Sequence, residues 1–294
     1  MQRFLYSTLI LLFGSIPGCA PPAEPFFDVH GSSPPPQRII STLPSITEVL
    51  FDIGLGDRIV GDSDFTKYPP ETAKIDKIGG LYDINREKII LLKPDLIILS
   101  AEKTLPHQSL SAPVLTVDHR TLEGVLDSYL VIGEAFGSDI LTAAQSKRQE
   151  LIGKLHDFET RIKGRKPIRT LIAIDRSYGT GRIQNLFVAG ADSFLSEVVA
   201  RAGGENAAAS IGLLAPQLSA ERVIRLAPKV IIDIQISGRD QKRSESDWYT
   251  LGNSVPAIKN RRILTLTDDF ATIPGPRTPL LMEKIARYFE SMEP

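Results

Sequence analysis

The chain alternates short, uninterrupted apolar runs with amphipathic stretches from residue 38 onward. Uninterrupted runs are typical of strands covered on both faces, whereas apolar residues every three or four positions are typical of helices. The predicted strands are Arg38–Ser41, Arg58–Gly61, Asp95–Leu99, Val114–Val117, Ile168–Ile174, Phe187–Ala189, Val230–Ile234 and Ile263–Leu266, and a long loop is predicted over Asp62–Asp83. The predicted helices are Ser45–Ile53, Ile84–Leu92, Thr121–Phe136, Asp139–Lys163, Asp192–Ala202, Ser219–Leu226 and Leu280–Glu290. This order predicts an α/β fold.

A sequence repeat relates the two halves of the chain. Segment Ile84–Ile98 matches Leu218–Ile232 at one constant offset, and each contains an amphipathic stretch, a proline and an apolar run. Thr47–Gly54 and Ser196–Gly203 form a second matched pair. The helix between the halves has about 25 residues and would span roughly 37 Å, which is enough to cross one lobe.

The repeat and the long helix together predict the domain organisation. We expect an N-terminal α/β lobe at residues 38–137, a connecting helix at 138–164 and a C-terminal α/β lobe at 165–294, with a central parallel sheet in each lobe. Ligands of such proteins bind in the crevice at the carboxyl ends of the strands, so we expect a cleft between the lobes.

The N-terminal segment has the pattern of a targeting signal. Arg3 precedes the apolar run Phe4–Phe13, which is too short to span a bilayer comfortably. Ile16–Cys19 resembles a bacterial lipobox, although Pro17 departs from it. We therefore expect a lipoprotein signal peptide at residues 1–18, lipid on Cys19, a proline-rich tether at 19–37, and a lipid-anchored protein in the periplasm or on the outer cell surface. The alternative is an ordinary secretory signal with an incidental cysteine.

Composition and motifs exclude several classes of protein. A net charge of −1 and a pI near 6.5 argue against a nucleic-acid partner. A single cysteine and four scattered histidines leave neither a disulfide framework nor a recognisable metal site. The sequence has no nucleotide-binding glycine motif that opens a helix after a strand, no phosphate-binding loop and no serine nucleophile motif. We expect no catalytic residues and no resident cofactor.

Five ordered stretches identify a family resemblance. They are IISTLPSITEVLFDIGLGDRIVG, DFTKYPPE, IGGLYDINREKIILLKPDLIIL, SFLSEVVARAGGEN and LSAERVIRLAPKVIID. They resemble the substrate-binding proteins of ABC importers for cobalamin and ferric siderophores, and the cobalamin-binding branch most of all. The resemblance implies two Rossmann-like lobes on a rigid helical backbone, and a monomer that carries one metal chelate to the permease membrane subunits. A non-transporting surface binding protein and an enzyme on a Rossmann-like fold are the alternatives from other classes.

Loops at the predicted strand ends contain candidate ligand-binding residues. Aromatic rings there are expected to stack on a flat macrocycle, and guanidinium groups to meet its carboxylates or amides. These candidates are Phe65, Tyr82, Tyr178, Phe270, Arg176 and Arg239. The alternative for each ring is packing within its own lobe, and Trp248 is either a lid or a packed helix start.

The family comparison leaves the identity of the ligand open. Cobalamin-binding relatives often carry Trp where this chain has Leu81 and Ala215. In haem-binding relatives an iron-binding Tyr occupies the place of Gly80, two residues before Tyr82. A cobalt corrinoid is therefore the first candidate ligand, a ferric siderophore the second and haem the third.

Two glutamates at equivalent places in the repeat are candidates for permease docking. Glu48 and Glu197 match positions whose carboxylates, in relatives, lie on exposed rims and pair with arginines of the two membrane subunits. The pattern from Ser45 to Glu48 also fits a capping box at a helix start, which is the alternative role of Glu48.

Overall fold

Two β-sheets on either side of a long helix organise the chain. The computed structural model describes residues 34–80, 83–101, 112–235 and 241–292. The first sheet, with its helices, is called the first lobe, and the second sheet, with its helices, the second lobe. Helix α4, Ser138–Ile162, connects them. Within the described ranges, no helix is both long and apolar enough to cross a bilayer.

The first sheet is parallel throughout, with the strand order β3-β2-β1-β4-β5. Its strands are β1 Ile39–Ser41, β2 Ile59–Asp62, β3 Asp76–Lys77, β4 Leu96–Ser100 and β5 Val114–Val117. Helices α1 Pro44–Asp52, α2 Arg86–Leu92 and α3 Leu122–Phe136 belong to this lobe. The central strands β1 and β4 are fully buried, because their uninterrupted apolar runs allow helices to cover both faces.

The second sheet is mixed, with the order β11-β10-β6-β7-β9 and β8 paired to β6. Its strands are β6 Ile168–Asp175, β7 Leu186–Val188, β8 Gly204–Asn206, β9 Gln217–Leu218, β10 Val230–Ile234 and β11 Ile263–Leu266. Its helices are α5 Phe194–Arg201, α6 Ala220–Leu226, α7 Gln241–Tyr249, α8 Pro256–Lys259 and α9 Thr278–Glu290. Strand β7 runs antiparallel to β6, because the connection between them contains no helix to form a parallel crossover.

Helix α4 joins the two lobes through one continuous apolar core. Its buried residues Ala144, Leu151, Leu155 and Phe158 belong to a cluster that includes α1 and α3 from the first lobe and α5 and α9 from the second. At its end, Arg161 donates hydrogen bonds to carboxylates of α9. The lobes therefore share packing around α4, whereas a flexible linker would leave each with a separate core.

The predicted order of strands and helices is confirmed. The strands and helices that the sequence pattern did not predict are short or polar. Strands β5, β10 and β11 have the predicted bounds. The predicted loop after β2 contains a 3-10 turn at Pro70–Lys74 and the two-residue strand β3. Strands β8 and β9 and helices α7 and α8 were not predicted. Helix α7 is too polar to show a helical apolar face, and it is held by the burial of Trp248.

Candidate functional site

The loops after the strands of the two lobes meet around one arginine. Arg277 immediately precedes α9 in the second lobe, and it follows the loop that leaves β11. Glu48 lies in α1, which begins three residues after β1, and Tyr68 lies in the loop after β2. Both strands end at the same edge of the first sheet because they run parallel. The boundary between the lobes therefore lies at the carboxyl ends of the strands.

All three nitrogens of the Arg277 guanidinium donate to carboxylates. Nη2 donates to Glu48 Oε1 at 2.6 Å and Nε to Glu48 Oε2 at 3.1 Å, while Nη1 donates to Asp269 Oδ1 at 2.8 Å. The side chain of Glu48 is 2% exposed and that of Arg277 is 10% exposed. Burial raises the pKa of Glu48, and the hydrogen bonds and charge of Arg277 oppose that rise. The result is a buried ion pair between the lobes.

The expectation that Glu48 lies on an exposed rim is wrong. Its carboxylate is buried and paired with Arg277, so it does not face solvent. The alternative capping box is also wrong, because Pro44 takes the first helical position and Leu43 is the N-cap, with no side-chain cap. Ser45 lies inside the helix, where its Oγ is 2.8 Å from Nδ1 of His119.

Glu197, the repeat counterpart of Glu48, also reaches the opposite lobe. Its Oε1 accepts from Arg201 Nε at 3.0 Å, and its Oε2 accepts from the backbone N–H of Leu122 at 3.4 Å. Leu122 is the first residue of α3 in the first lobe. Only a third of the Glu197 side chain is exposed. Both carboxylates of the predicted docking pair are therefore engaged in contacts between the lobes.

Phe65 is the predicted ligand-binding residue that the structure presents most openly. Its side chain is 62% exposed in the loop after β2. The edge of its ring covers Gly80, where an added Cβ would lie 3.0 Å from Phe65 Cε2. Asp64 supports this arrangement, since its N–H donates to Gly79 O and its Oδ1 accepts from Gly79 N–H, both at 3.0 Å. The two hydrogen bonds between Asp64 and Gly79 therefore fix the loop that presents the exposed ring of Phe65.

Two further rings approach the boundary between the lobes. Tyr68 is 43% exposed, and the centre of its ring lies 4.2 Å from the Arg277 guanidinium carbon. Phe270 is half-buried against the core of the second lobe, 5.4 Å from the same carbon. Phe270 is among the ligand-binding residues predicted from the sequence, whereas Tyr68 is not. The signal for Tyr68 was available, because it follows a predicted strand end as Phe65 does.

Arg176 is not available to a ligand, contrary to prediction. Its side chain is 0% exposed; Nη2 pairs with Asp233 Oδ2 at 2.9 Å and Nη1 with Asp247 Oδ2 at 3.0 Å. The guanidinium lies 4.4 Å from the centre of the Tyr178 ring and 5.1 Å from that of Trp248. A buried guanidinium requires such compensation, so these contacts are structural.

The same network fixes α7 and the loop after β6. Asp247 accepts from the N–H groups of Gly179 at 2.7 Å and Gly181 at 2.8 Å. The indole N–H of Trp248 donates to Asp233 Oδ2 at 2.9 Å. Trp248 is fully buried, which favours the packed-helix role over the lid. Tyr178 is half-buried, and its hydroxyl donates to Ile234 O at 3.2 Å. Three other predicted residues, Cys19, Tyr82 and Arg239, lie outside the described residues.

Besides Glu48, the first lobe contains the buried ionisable groups Asp62 and His119. Asp62 accepts from Lys77 Nζ at 2.7 Å, and burial raises its pKa from 3.8 to about 6 despite that contact. Burial lowers the pKa of His119 from 6.5 to about 4, and the nearby charge of Asp118 opposes the shift. In the described ranges, no group of three or more His, Cys, Asp or Glu residues is placed to hold a metal ion.

Comparison with known proteins identifies the family. A sequence model described as periplasmic binding protein matches residues 39–270. The chain belongs to this family. The vitamin B12-binding protein of Vibrio parahaemolyticus is 27% identical over 273 residues, which cover 91% of this chain and 94% of that protein. The uncharacterised ABC transporter substrate-binding lipoprotein YvrC of Bacillus subtilis is 29% identical over 273 residues, covering 88% of this chain and 81% of that one.

Solved structures confirm the arrangement of two lobes. The periplasmic vitamin B12-binding protein BtuF of Vibrio cholerae is 26% identical, with a TM-score of 0.73 over 87% of this chain and 98% of that one. The periplasmic heme-binding protein RhuT from Roseiflexus sp. RS-1, in its apo form, is 25% identical, with a TM-score of 0.72 and the same coverage. Periplasmic binding proteins bind solutes outside the cytoplasm for the membrane subunits of ABC importers. The chain is therefore a binding component of an importer and belongs to a family of non-enzymatic proteins.

We predict that Asp62→Asn and His119→Asn change the pH dependence of stability in opposite directions. The stability contributed by Asp62 is lost as pH rises from 3.8 to about 6, because the folded state binds its proton more tightly. The stability contributed by His119 is lost as pH falls from 6.5 to about 4, because the folded state holds the ring neutral. Each variant removes one of these losses.

Denaturant unfolding of both variants and the parent between pH 4 and 7 measures the effect. The free energy of unfolding of Asp62→Asn, relative to the parent, should increase as pH rises through this window. That of His119→Asn should increase as pH falls. Neither difference should change by more than about 1.4 kcal/mol per pH unit, the limit for one proton. Two curves parallel to that of the parent would contradict the assignment of both groups.

Proposed function

We propose that this periplasmic binding protein captures a metal chelate, with a cobalt corrinoid as the first candidate, in the cleft between its lobes. It then delivers the chelate to the permease of an ABC importer. The observation that carries the proposal is the exposed ring of Phe65, held at the rim of the cleft in a chain with vitamin B12-binding relatives. An exposed aromatic face is suited to stacking on a flat macrocycle. The metal belongs to the cargo, and the protein acts as a monomer.

Apolar residues of the second lobe support the same ligand class. Leu213 and Leu214 are exposed in the loop after β8. Strand β8 ends opposite Thr170, in the middle of β6, and the loop then runs beside the end of β7, where Leu214 O accepts from the N–H of Gly190 at 3.1 Å. Exposed apolar side chains that lie near one another mark binding surfaces more often than solvated ones do. We infer that these two leucines and Phe65 offer the ligand apolar surface from different lobes.

The charges of the described cleft residues favour a neutral chelate. Anionic ferric siderophores are recognised well by arginine forks, which offer several donors to carboxylate-like groups. Internal carboxylates pair with both Arg176 and Arg277, so neither guanidinium is open to such a ligand. A corrinoid with an amide-rich periphery requires no such cation. Ferric siderophore is therefore the alternative ligand.

Haem is a second candidate that the similarity to RhuT favours. It requires a side chain that binds iron, and Tyr68 is the partly exposed phenol at the boundary of the lobes. His119 is unsuited to this role because it is buried beside Ser45. Parallel titration of the protein with cyanocobalamin and with hemin therefore distinguishes a corrinoid-binding cleft from a haem-binding one.

We predict that Phe65→Ala weakens the binding of cyanocobalamin to the purified protein about 5- to 10-fold, the effect of losing one aromatic stacking contact. Phe65→Tyr keeps the ring and should bind like the parent. Tyr249→Ala is the matched control. Tyr249 is also partly exposed, but it lies beside Arg261, which precedes the amino end of β11, away from the cleft.

Isothermal titration calorimetry measures the three affinities. Tight binding of hemin by a parent protein that does not bind cyanocobalamin would replace the corrinoid by haem. Loss of binding in Tyr249→Ala equal to that in Phe65→Ala would show that the ring of Phe65 has no special role.

Permease docking requires one exposed carboxylate per lobe, and the repeat supplies another pair. Glu87 and Glu221 occupy equivalent positions in the matched segments, and both lie exposed in the first turns of α2 and α6. Both helices begin at the cleft edge, since β3 and β9 run parallel to the other strands that define this edge. Ile90 and Ile224, one turn further along, are exposed as well. We infer that these two glutamates, in place of Glu48 and Glu197, meet the membrane subunits.

We predict that Glu87→Lys and Glu221→Lys reduce the stimulation of ATP hydrolysis by the reconstituted importer, and that the double variant abolishes most of it. Reversed charge places like charges against a basic partner, which opposes docking without changing the cleft. Cyanocobalamin affinity should therefore stay within about twofold of the parent value, as expected for exposed substitutions. Glu150→Lys, an exposed reversal on α4, is the control. Normal stimulation by the double variant would rule out this docking pair.

Anchoring through lipid on Cys19 is the remaining part of the proposal. We predict that Cys19→Ala prevents acylation, so that the chain is either unprocessed or released from the membrane fraction, because acyl chains rather than protein contacts would hold it there. Fractionation followed by mass spectrometry of the N-terminal peptide measures both. Processing and membrane retention equal to those of the parent would show that the signal is an ordinary secretory one.

A further inference from the structure

One side chain of the second lobe is held mainly by the first. Arg277 precedes α9, yet two of its three guanidinium nitrogens donate to Glu48 of α1. The ring of Tyr68, also in the first lobe, covers the same group. We propose that Arg277 is a positioning residue which, with Glu48, sets the distance between the lobes and so the width of the ligand cleft. This inference rests on the proposed function only where it concerns ligand binding.

The geometry of the pair defines distance and orientation together. Arg277 presents Nε and Nη2 side by side to the two oxygens of Glu48, at 3.1 and 2.6 Å. Two parallel hydrogen bonds between planar groups resist both sliding and rotation, which a single bond would permit. The pair is also largely withdrawn from solvent, which strengthens the attraction between the two charges. The lobes are therefore restrained in more than one direction at this point.

The guanidinium of Arg277 also contacts one aromatic ring from each lobe. Tyr68 of the first lobe lies 4.2 Å from it and Phe270 of the second lobe 5.4 Å, measured from the guanidinium carbon to each ring centre. Asp269, next to Phe270, fixes the third nitrogen at 2.8 Å. One cation thus sets the separation of two aromatic residues that belong to different lobes. A change in its position would move these two rings relative to each other.

Backbone packing next to the pair supports the same role. Gly275 of the second lobe lies against α1, where an added Cβ would be 3.4 Å from Glu48 Oε2 and 3.9 Å from Ser45 Cα. Its N–H donates to Thr278 Oγ1 at 3.1 Å, which fixes the turn before α9. The short approach of this backbone to α1 is therefore part of the same contact between the lobes.

A second contact between the lobes is made by Glu197, the residue that matches Glu48 in the repeat. Glu197 of the second lobe accepts from the N–H of Leu122 in the first. This bond is longer, at 3.4 Å, and one-third of its acceptor side chain is exposed. The restraint at Arg277 is thus the stronger of the two.

The test measures the distance between the lobes directly. Nitroxide labels at Lys74→Cys in the first lobe and Lys229→Cys in the second, both exposed, are placed in the full chain with Cys19→Ser. Pulsed dipolar spectroscopy of the unliganded protein then reports the distance distribution. The parent should give one narrow peak. Glu48→Gln, and the paired change Glu48→Leu with Arg277→Met, should shift or broaden it.

The paired apolar change separates positioning from stability. Replacing a buried ion pair by apolar residues of similar volume is often neutral for stability, so this variant should melt near the parent temperature while losing the defined spacing. Its dissociation constant for cyanocobalamin should rise about 10-fold, as expected when about a tenth of molecules hold the competent spacing. Arg161→Gln breaks an ion pair between α4 and α9 and is the control. It should lower the melting temperature but leave the distance peak unchanged.

Two outcomes would overturn the inference. One is a distance distribution of the folded paired variant that superimposes on that of the parent. The other is a change in Arg161→Gln equal to that in the paired variant, which would show that any loss of stability moves the lobes. Failure of the parent to bind cyanocobalamin would contradict the proposed ligand instead, while the distance measurement would still decide the role of Arg277.

Discussion

Among the residues that the structure describes, Arg277 and Arg176 hold guanidinium groups that are withdrawn from solvent, and the arrangement of the cleft depends on how their charge is balanced. Arg277 pairs with two carboxylates and contacts two aromatic rings, and Arg176 does the same deeper in the second lobe. A buried cation without such partners would destabilise the fold severely. Each arginine is therefore tied to the elements that supply its carboxylates. These are α1 and the turn after β11 for Arg277, and β10 and α7 for Arg176.

This balance also determines what the cleft offers to a ligand. Carboxylates occupy both guanidiniums, whereas the loop after β2 presents the ring of Phe65, which is 62% exposed. In the proposed function, recognition therefore rests on stacking and shape, with polar contacts from backbone groups. A large, flat and nearly neutral chelate suits such a surface better than a small anion does.

The α/β fold could be predicted because most strands are uninterrupted apolar runs. Such runs are recognised from the local sequence, without information on distant contacts. The local pattern failed for α7, whose polar helix is held by Trp248 through Asp233 on another strand. It failed for Arg176 for the same reason, since its partners lie 57 and 71 residues away in the chain. Glu48 fitted a local capping pattern, but its partner is 229 residues distant. The placement of Phe65 in a loop at a strand end follows from the local sequence pattern, and its role in ligand binding stays a prediction.

Helix α4 has one further consequence, which concerns chain length. Each residue in an α-helix adds about 1.5 Å and turns the chain by about 100°. An insertion or deletion within Ser138–Ile162 would therefore rotate one lobe against the other and turn Leu151 and Leu155 away from the shared core. Surface loops tolerate insertions and deletions more easily, because a change in loop length does not rotate a packed helix face away from the core. Natural variation in length among proteins of this architecture should accordingly accumulate in the loops, while the number of residues in the connecting helix stays constant.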